Sequence, residues 1–316
     1  MATVLLLFAS HAAKAQETDT VPEPAAPVEH LPSELTTIHV QSRLVTLAVN
    51  VVNAQGAPVS GLTQKDFVVA EDGAPQKIAF FQPESATPLD IVLALDASES
   101  VIDDQKLERQ AAKQFAKSLL RAQDRMELME FADSVKALTP FTADVHAIEE
   151  GLGKLHRGDA TALYEAIASA CDELRALSAT GGRRRVLVLI TDGDNSVDRG
   201  SYDRAMEAAQ RAGVMIYALI VVPITADAGR NIGGEHALVQ MSKDTGGKYF
   251  YVSDKHDLSP AFARVSSDLR TQYTLGYYAP QQGGDEDGLR RIEVRLTDAA
   301  ERAADTLRYR TAYYAR

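Results

Sequence analysis

The chain is poor in the residues that staple, anchor or charge a small protein. Cys171 is its only cysteine, so no disulfide closes within it, and no cysteine near the amino terminus could carry a lipid. Cys171 shares a helical stripe with Leu163, Ile167, Leu174 and Leu177; it reads as a buried small hydrophobe, not a reactive thiol. The seven histidines are scattered, none at metal-ligand spacing, which argues against a histidine-based metal site. Clustered positive charge is scarce too: with a net charge of −11, a nucleic-acid partner is not expected. The one dense basic run, Arg183-Arg184-Arg185, directly precedes an apolar strand and is expected to be its solvated lead-in. There is no GxSxG elbow, no complete phosphate-binding glycine loop and no internal repeat. No apolar run reaches the roughly 20 residues that a transmembrane helix needs.

What is present suits a globular, exported protein. At 316 residues and 45% hydrophobic side chains, the chain can bury a full core. Residues 1–15 hold a short apolar block, Val4 to Ala9, followed by Ala13-Lys14-Ala15, the small-x-small pattern of a signal-peptide cleavage site. The expected location is periplasmic or secreted. Residues 16–35, rich in Pro, Glu, Ala and Thr without apolar periodicity, are expected to form a disordered linker.

From residue 36 to 84 the chain carries short runs of β-branched residues separated by turn signals, including Asp72-Gly73. Residues 88–270 alternate strands with helices, which predicts a doubly wound, mostly parallel α/β sheet. Arg125 to Leu138 holds two short strands joined by a turn, which predicts one antiparallel edge strand. Residues 271–316 return to strands, expected over Tyr273 to Tyr278, Arg291 to Leu296 and Leu307 to Tyr314. Two incomplete β segments flanking a complete α/β domain are expected to pair into one all-β sandwich, with the α/β domain inserted in it. Two separate β appendages are the alternative.

The chemistry gathers at strand ends. Leu89 to Leu95 is a strand, apolar without interruption from Ile91, that empties into Asp96, Ser98 and Ser100; ligands of open α/β sheets sit just past such carboxyl ends. Thr161 stands in Gly158-Asp159-Ala160-Thr161-Ala162-Leu163-Tyr164, and Asp192 closes a second apolar strand in Thr191-Asp192-Gly193. DxSxS, the distal threonine and TDG, in this order, resemble the metal-ion-dependent adhesion site (MIDAS) of von Willebrand factor type A (vWA) domains. The phrases Gly61 to Phe67, Glu71-Asp72-Gly73 and Gln272 to Tyr278 also resemble a secreted bacterial, Acidobacteria-type, vWA-related group.

An oxygen-only donor set selects a hard cation, here Mg²⁺, with Mn²⁺ or Ca²⁺ as alternatives. The resemblance implies direct ligation by Ser98 and Ser100, with Thr161 direct or through water. It also implies Asp96 and Asp192 acting through water, and an open position for an Asp or Glu of a protein partner. A non-enzymatic adhesion module follows as the expectation. A metal-dependent hydrolase or phosphatase and a scaffold with a vestigial site remain alternatives, although Ser98 stands where an aspartyl phosphatase places its second acid.

Overall fold

Alternation of buried and exposed side chains starts at Leu44, where a computed structural model of the chain begins to describe it. The described residues are 44–83, 87–98, 105–177, 182–222, 231–279, 288–297 and 306–315, within one compact unit spanning residues 41–316. The expected signal peptide and linker, and Ser100, lie outside them. Strand β1 (Leu44–Val52) turns Val45, Leu47, Val49 and Val51 inward. Strands β2 (Phe67–Glu71), β3 (Ala74–Gln76) and β4 (Ile78–Gln82) follow. Asp72 and Gly73 both have positive φ, 48° and 81°, the backbone that a tight two-residue hairpin between β2 and β3 demands and that this residue pair tolerates.

The α/β region then runs β5 (Leu89–Asp96), α1 (Gln105–Leu119), β6 (Arg125–Phe131), β7 (Val135–Ala137), α2 (Val145–Leu152) and α3 (Leu163–Ala176). It continues with β8 (Arg184–Thr191), α4 (Tyr202–Ala212), β9 (Val214–Val221), α5 (Ile232–Asp244), β10 (Lys248–Val252) and α6 (Leu258–Arg270). The sheet order is β10-β9-β8-β5-β6-β7, and only β7 pairs antiparallel, at the edge beyond β6. Every residue of β5 is buried because helices cover both faces. Side chains of α1, α2 and α6 pack on one face, with Phe115 stacked on Phe262 at 4.4 Å between ring centroids. Those of α3, α4 and α5 pack on the other, where Cys171 is fully buried.

After α6 the chain re-enters the first β segment through β11 (Tyr273–Tyr278), β12 (Leu289–Leu296), β13 (Thr306–Arg308) and β14 (Ala312–Tyr314). Two four-stranded sheets result, ordered β13-β1-β11-β4 and β14-β12-β2-β3, with one shared core that includes Leu47, Phe67, Val69, Tyr273, Leu275, Val294 and Tyr313. The α/β domain is therefore inserted in a sandwich made from both ends of the described chain. Within its core, the Glu71 carboxylate accepts hydrogen bonds from the hydroxyls of Tyr277 (2.6 Å) and Tyr313 (2.8 Å). The single strand expected over Leu307 to Tyr314 is instead two, one in each sheet. Between them the backbone docks on the end of α5, where the Thr311 N–H donates to the Asp244 carbonyl at 2.9 Å.

The arginine run corrects a second expectation. In a doubly wound domain the helix C-termini converge at the edge of the sheet where the strands begin, and their last carbonyls lack intrahelical donors. Arg185 donates to the carbonyls of Leu177 and Ala212, at the ends of α3 and α4. Arg184, buried, donates to Leu269 at the end of α6 and to Gln272. Arg183 bonds Asp90 and the carbonyls of Leu89 and Gln123. Arg184 and Arg185 thus cap helices, and the half-buried Arg183 ties the start of β5 to the turn before β6.

Candidate metal centre

Asp96 is the last residue of β5 and is 2% exposed. One of its oxygens accepts the Ser98 N–H at 3.0 Å and the other accepts the Thr191 hydroxyl at 2.7 Å; the Ser98 side chain bonds it as well. Thr191 ends β8, which lies parallel beside β5, so neighbouring strand ends are tied by one short bond. The same Thr191 oxygen accepts the Gly193 N–H at 3.1 Å, which folds the chain over immediately after Asp192. Asp192 in turn accepts the Asp194 N–H at 3.0 Å. Burial pushes the Asp96 carboxyl up to about 7, with the charge of Asp192 adding to the rise and the Thr191 and Ser98 hydrogen bonds opposing it.

Two further loops close on this corner. Gly158 donates to the Ala97 carbonyl at 3.1 Å and bridges Ser98 in parallel register. Thr161, buried just before α3, donates its N–H to the Ser196 hydroxyl at 2.8 Å and accepts from the Ser196 and Val197 N–H groups. The segment after Asp192 thus holds the segment carrying Thr161. The Asn231 side chain, which caps α5 by accepting from the Gly234 N–H, also donates to Asp194 at 2.9 Å. Gly193 has φ +86°, and a Cβ on Gly234 would overlap the Gly193 carbonyl oxygen; two glycines let the start of α5 close on the Asp192 loop.

Of the five residues singled out by sequence, four are described. Asp96, Ser98 and Asp192 meet through hydrogen bonds and charge, and Thr161 joins them through the Ser196 segment. Sequence reasoning missed Glu108, in the first turn of α1. It is 6% exposed, and burial followed by the charge of Asp96 raises its carboxyl to about 7, against the pull of Arg109 and Arg157. Its Oε1 has no hydrogen-bond partner among the described residues. Asp96, Ser98 and Asp192 thus meet at one corner, with Thr161 joined to it through the Ser196 segment and the charge of Glu108 coupled to Asp96, and an oxygen-only donor set of this kind fits a hard divalent cation. Among the described residues no group of three or more His, Cys, Asp or Glu side chains has metal-binding geometry on its own.

A family model, the von Willebrand factor type A domain, matches residues 90–264. Among solved structures, von Willebrand factor type A from Catenulispora acidiphila is 13% identical over 87% of this chain and 73% of its own, with a TM-score of 0.49. The conserved hypothetical protein BatB from Bacteroides thetaiotaomicron is 20% identical over 57% of this chain and 99% of its own, TM-score 0.43. Proximal thread matrix protein 1 from the mussel byssus, with a zinc-occupied MIDAS motif, is 18% identical over 58% and 48%, TM-score 0.45. No curated protein matches the chain significantly.

Proposed function

The chain belongs to the von Willebrand factor type A domain family, and from that premise we propose that it is a metal-dependent protein-binding module of an exported protein. Asp96, Ser98, Ser100, Thr161 and Asp192 hold the cation, Mg²⁺ before Mn²⁺ or Ca²⁺. When bound, the ion supplies an electrophilic position that accepts a carboxylate from an Asp or Glu of a protein partner. The chain's residues hold the donors in place: Thr191 anchors Asp96, Gly193 folds Asp192 over the strand end, and the Ser196 segment fixes Thr161. The observation that carries this reading is the buried Asp96 carboxylate tied to two neighbouring loops at the C-terminal edge of a parallel sheet, where open α/β folds take their ligands. Export rests on the leader pattern in residues 1–15.

Calorimetric titration with Mg²⁺ tests the site. The parent is expected to bind and Asp96→Ala to lose binding; equal binding by the two would sink the assignment. We read the site as non-catalytic because Ser98 stands where a phosphatase needs an acid. Metal-dependent turnover of a phosphate ester or carboxylic ester that Asp96→Ala abolishes would reverse that reading.

A further inference from the structure

Glu108 is a glutamate where the fold has no evident need of one. Leu107, Ala111, Phe115 and Leu119 recur at four-residue intervals and mark the face that α1 turns to the core. Glu108 lies beside that stripe, in the first turn after the loop that carries the DxSxS residues. It is more than nine-tenths buried, and Oε1 finds no donor among the described residues, although a buried carboxylate oxygen left without one is costly. It is within electrostatic reach of Asp96 and of Arg157. Arg157 immediately precedes Gly158, the residue bridged to Ser98. Glu108, buried at the start of the helix that follows the DxSxS strand end, is therefore coupled by charge both to Asp96 and to the residue next to Gly158.

We propose that Glu108 is an outer-shell carboxylate of the metal centre, a positioning residue whose free oxygen faces the cation's hydration shell and raises cation affinity. The inference rests on the metal-centre reading above. A hydroxyl-rich shell neutralises a divalent ion poorly, and a third carboxylate behind it supplies charge without occupying a coordination position. Outer-shell partners of this kind are typically worth about 10- to 100-fold in metal affinity. The competing role is structural, with Glu108 serving only to balance Arg109 and Arg157. That role predicts a change in the stability of the metal-free protein and none in affinity.

The test compares the parent, Glu108→Gln and Asp96→Ala by Mg²⁺ titration calorimetry, with melting temperatures taken in chelator. Glu108→Gln keeps the side chain's shape and removes its charge; it is expected to bind Mg²⁺ about 10-fold more weakly. Binding within about twofold of the parent, while Asp96→Ala binds none, overturns the proposal and leaves the metal centre standing. Parent-like binding by Asp96→Ala overturns both. Should Glu108→Gln not fold, Glu108→Asp carries the test, since it keeps the charge and withdraws the oxygen. A loss of about threefold or more is then expected, and parent-like affinity overturns the proposal.

Discussion

Buried carboxylates make part of this molecule's stability depend on pH. Glu127, on β6, is 4% exposed with Oε1 lacking a hydrogen-bond partner among the described residues, and burial, then the charge of Glu173, raises its carboxyl to about 7. Between the ordinary value of 4.5 and about 7 the folded chain holds a proton that the unfolded chain has released. Stability contributed by this group is therefore full below about pH 4.5 and is lost as the pH rises to about 7. Glu127→Gln, neutral at every pH, is expected to stabilise the protein by about 1–3 kcal/mol at pH 8 and to lose that advantage at pH 5. Urea melts at the two pH values check this; an equal effect at both would refute it. Sequence alone conceals Glu108 and Glu127 for the same reason. A glutamate next to an apolar stripe reads as the solvent border, and only the packing of a second element over it makes it buried. The strand ends at Asp96 and Asp192 are readable from apolar runs alone, whereas Thr161, just before α3, enters the expected site only through the motif that resembles a MIDAS.

At the scale of elements, the Asp192 loop and the start of α5 approach each other as closely as backbone allows. Gly234→Ala is expected to cost about 1–3 kcal/mol and to weaken Mg²⁺ binding, because its Cβ would overlap the Gly193 carbonyl one residue from Asp192. Gly233→Ala, whose Cβ would meet only the Asn231 side-chain oxygen at an ordinary 3.6 Å, is expected to be neutral or to stabilise by up to about 1 kcal/mol through helix propensity. Thermal melts and metal titrations of the pair separate close approach from propensity. Indistinguishable variants would show that the approach is unimportant. Most elements follow from apolar periodicity, because β5, β8 and β9 are covered on both faces and α1 and α3 on one stripe. What periodicity cannot carry is the partner of each end. The arginine run looks solvated until three helix C-termini arrive beside it, and Leu307 to Tyr314 looks like one strand until α5 meets its middle.

Across the whole molecule, Asp268 on α6 joins the inserted domain to the sandwich. It accepts hydrogen bonds from Asn50 on β1 (3.0 Å) and Tyr217 on β9 (2.7 Å) and from both terminal nitrogens of Arg308 on β13. Asp268→Ala leaves the half-buried Arg308 without its carboxylate and is expected to cost about 3–5 kcal/mol. Scanning calorimetry of the parent is expected to show one transition, and the variant to melt lower with the sandwich tyrosines loosening before the α/β domain. A two-step parent melt, or a variant with the parent's melting temperature, would show that the two parts are not coupled through Asp268.

The same architecture sets an order in time. Glu71 waits for Tyr313, 242 residues later, and β1 has neither of its neighbours until β11 and β13 leave the ribosome. The inserted domain, whose pairings are all closer along the chain, can finish first, and its completion brings β4 and β11 together. Until then β1 offers unpaired edges to any other nascent strand. A chain cut short anywhere before β11 is thus an aggregation hazard, and the strands from β11 to β14 are the ones that remove it.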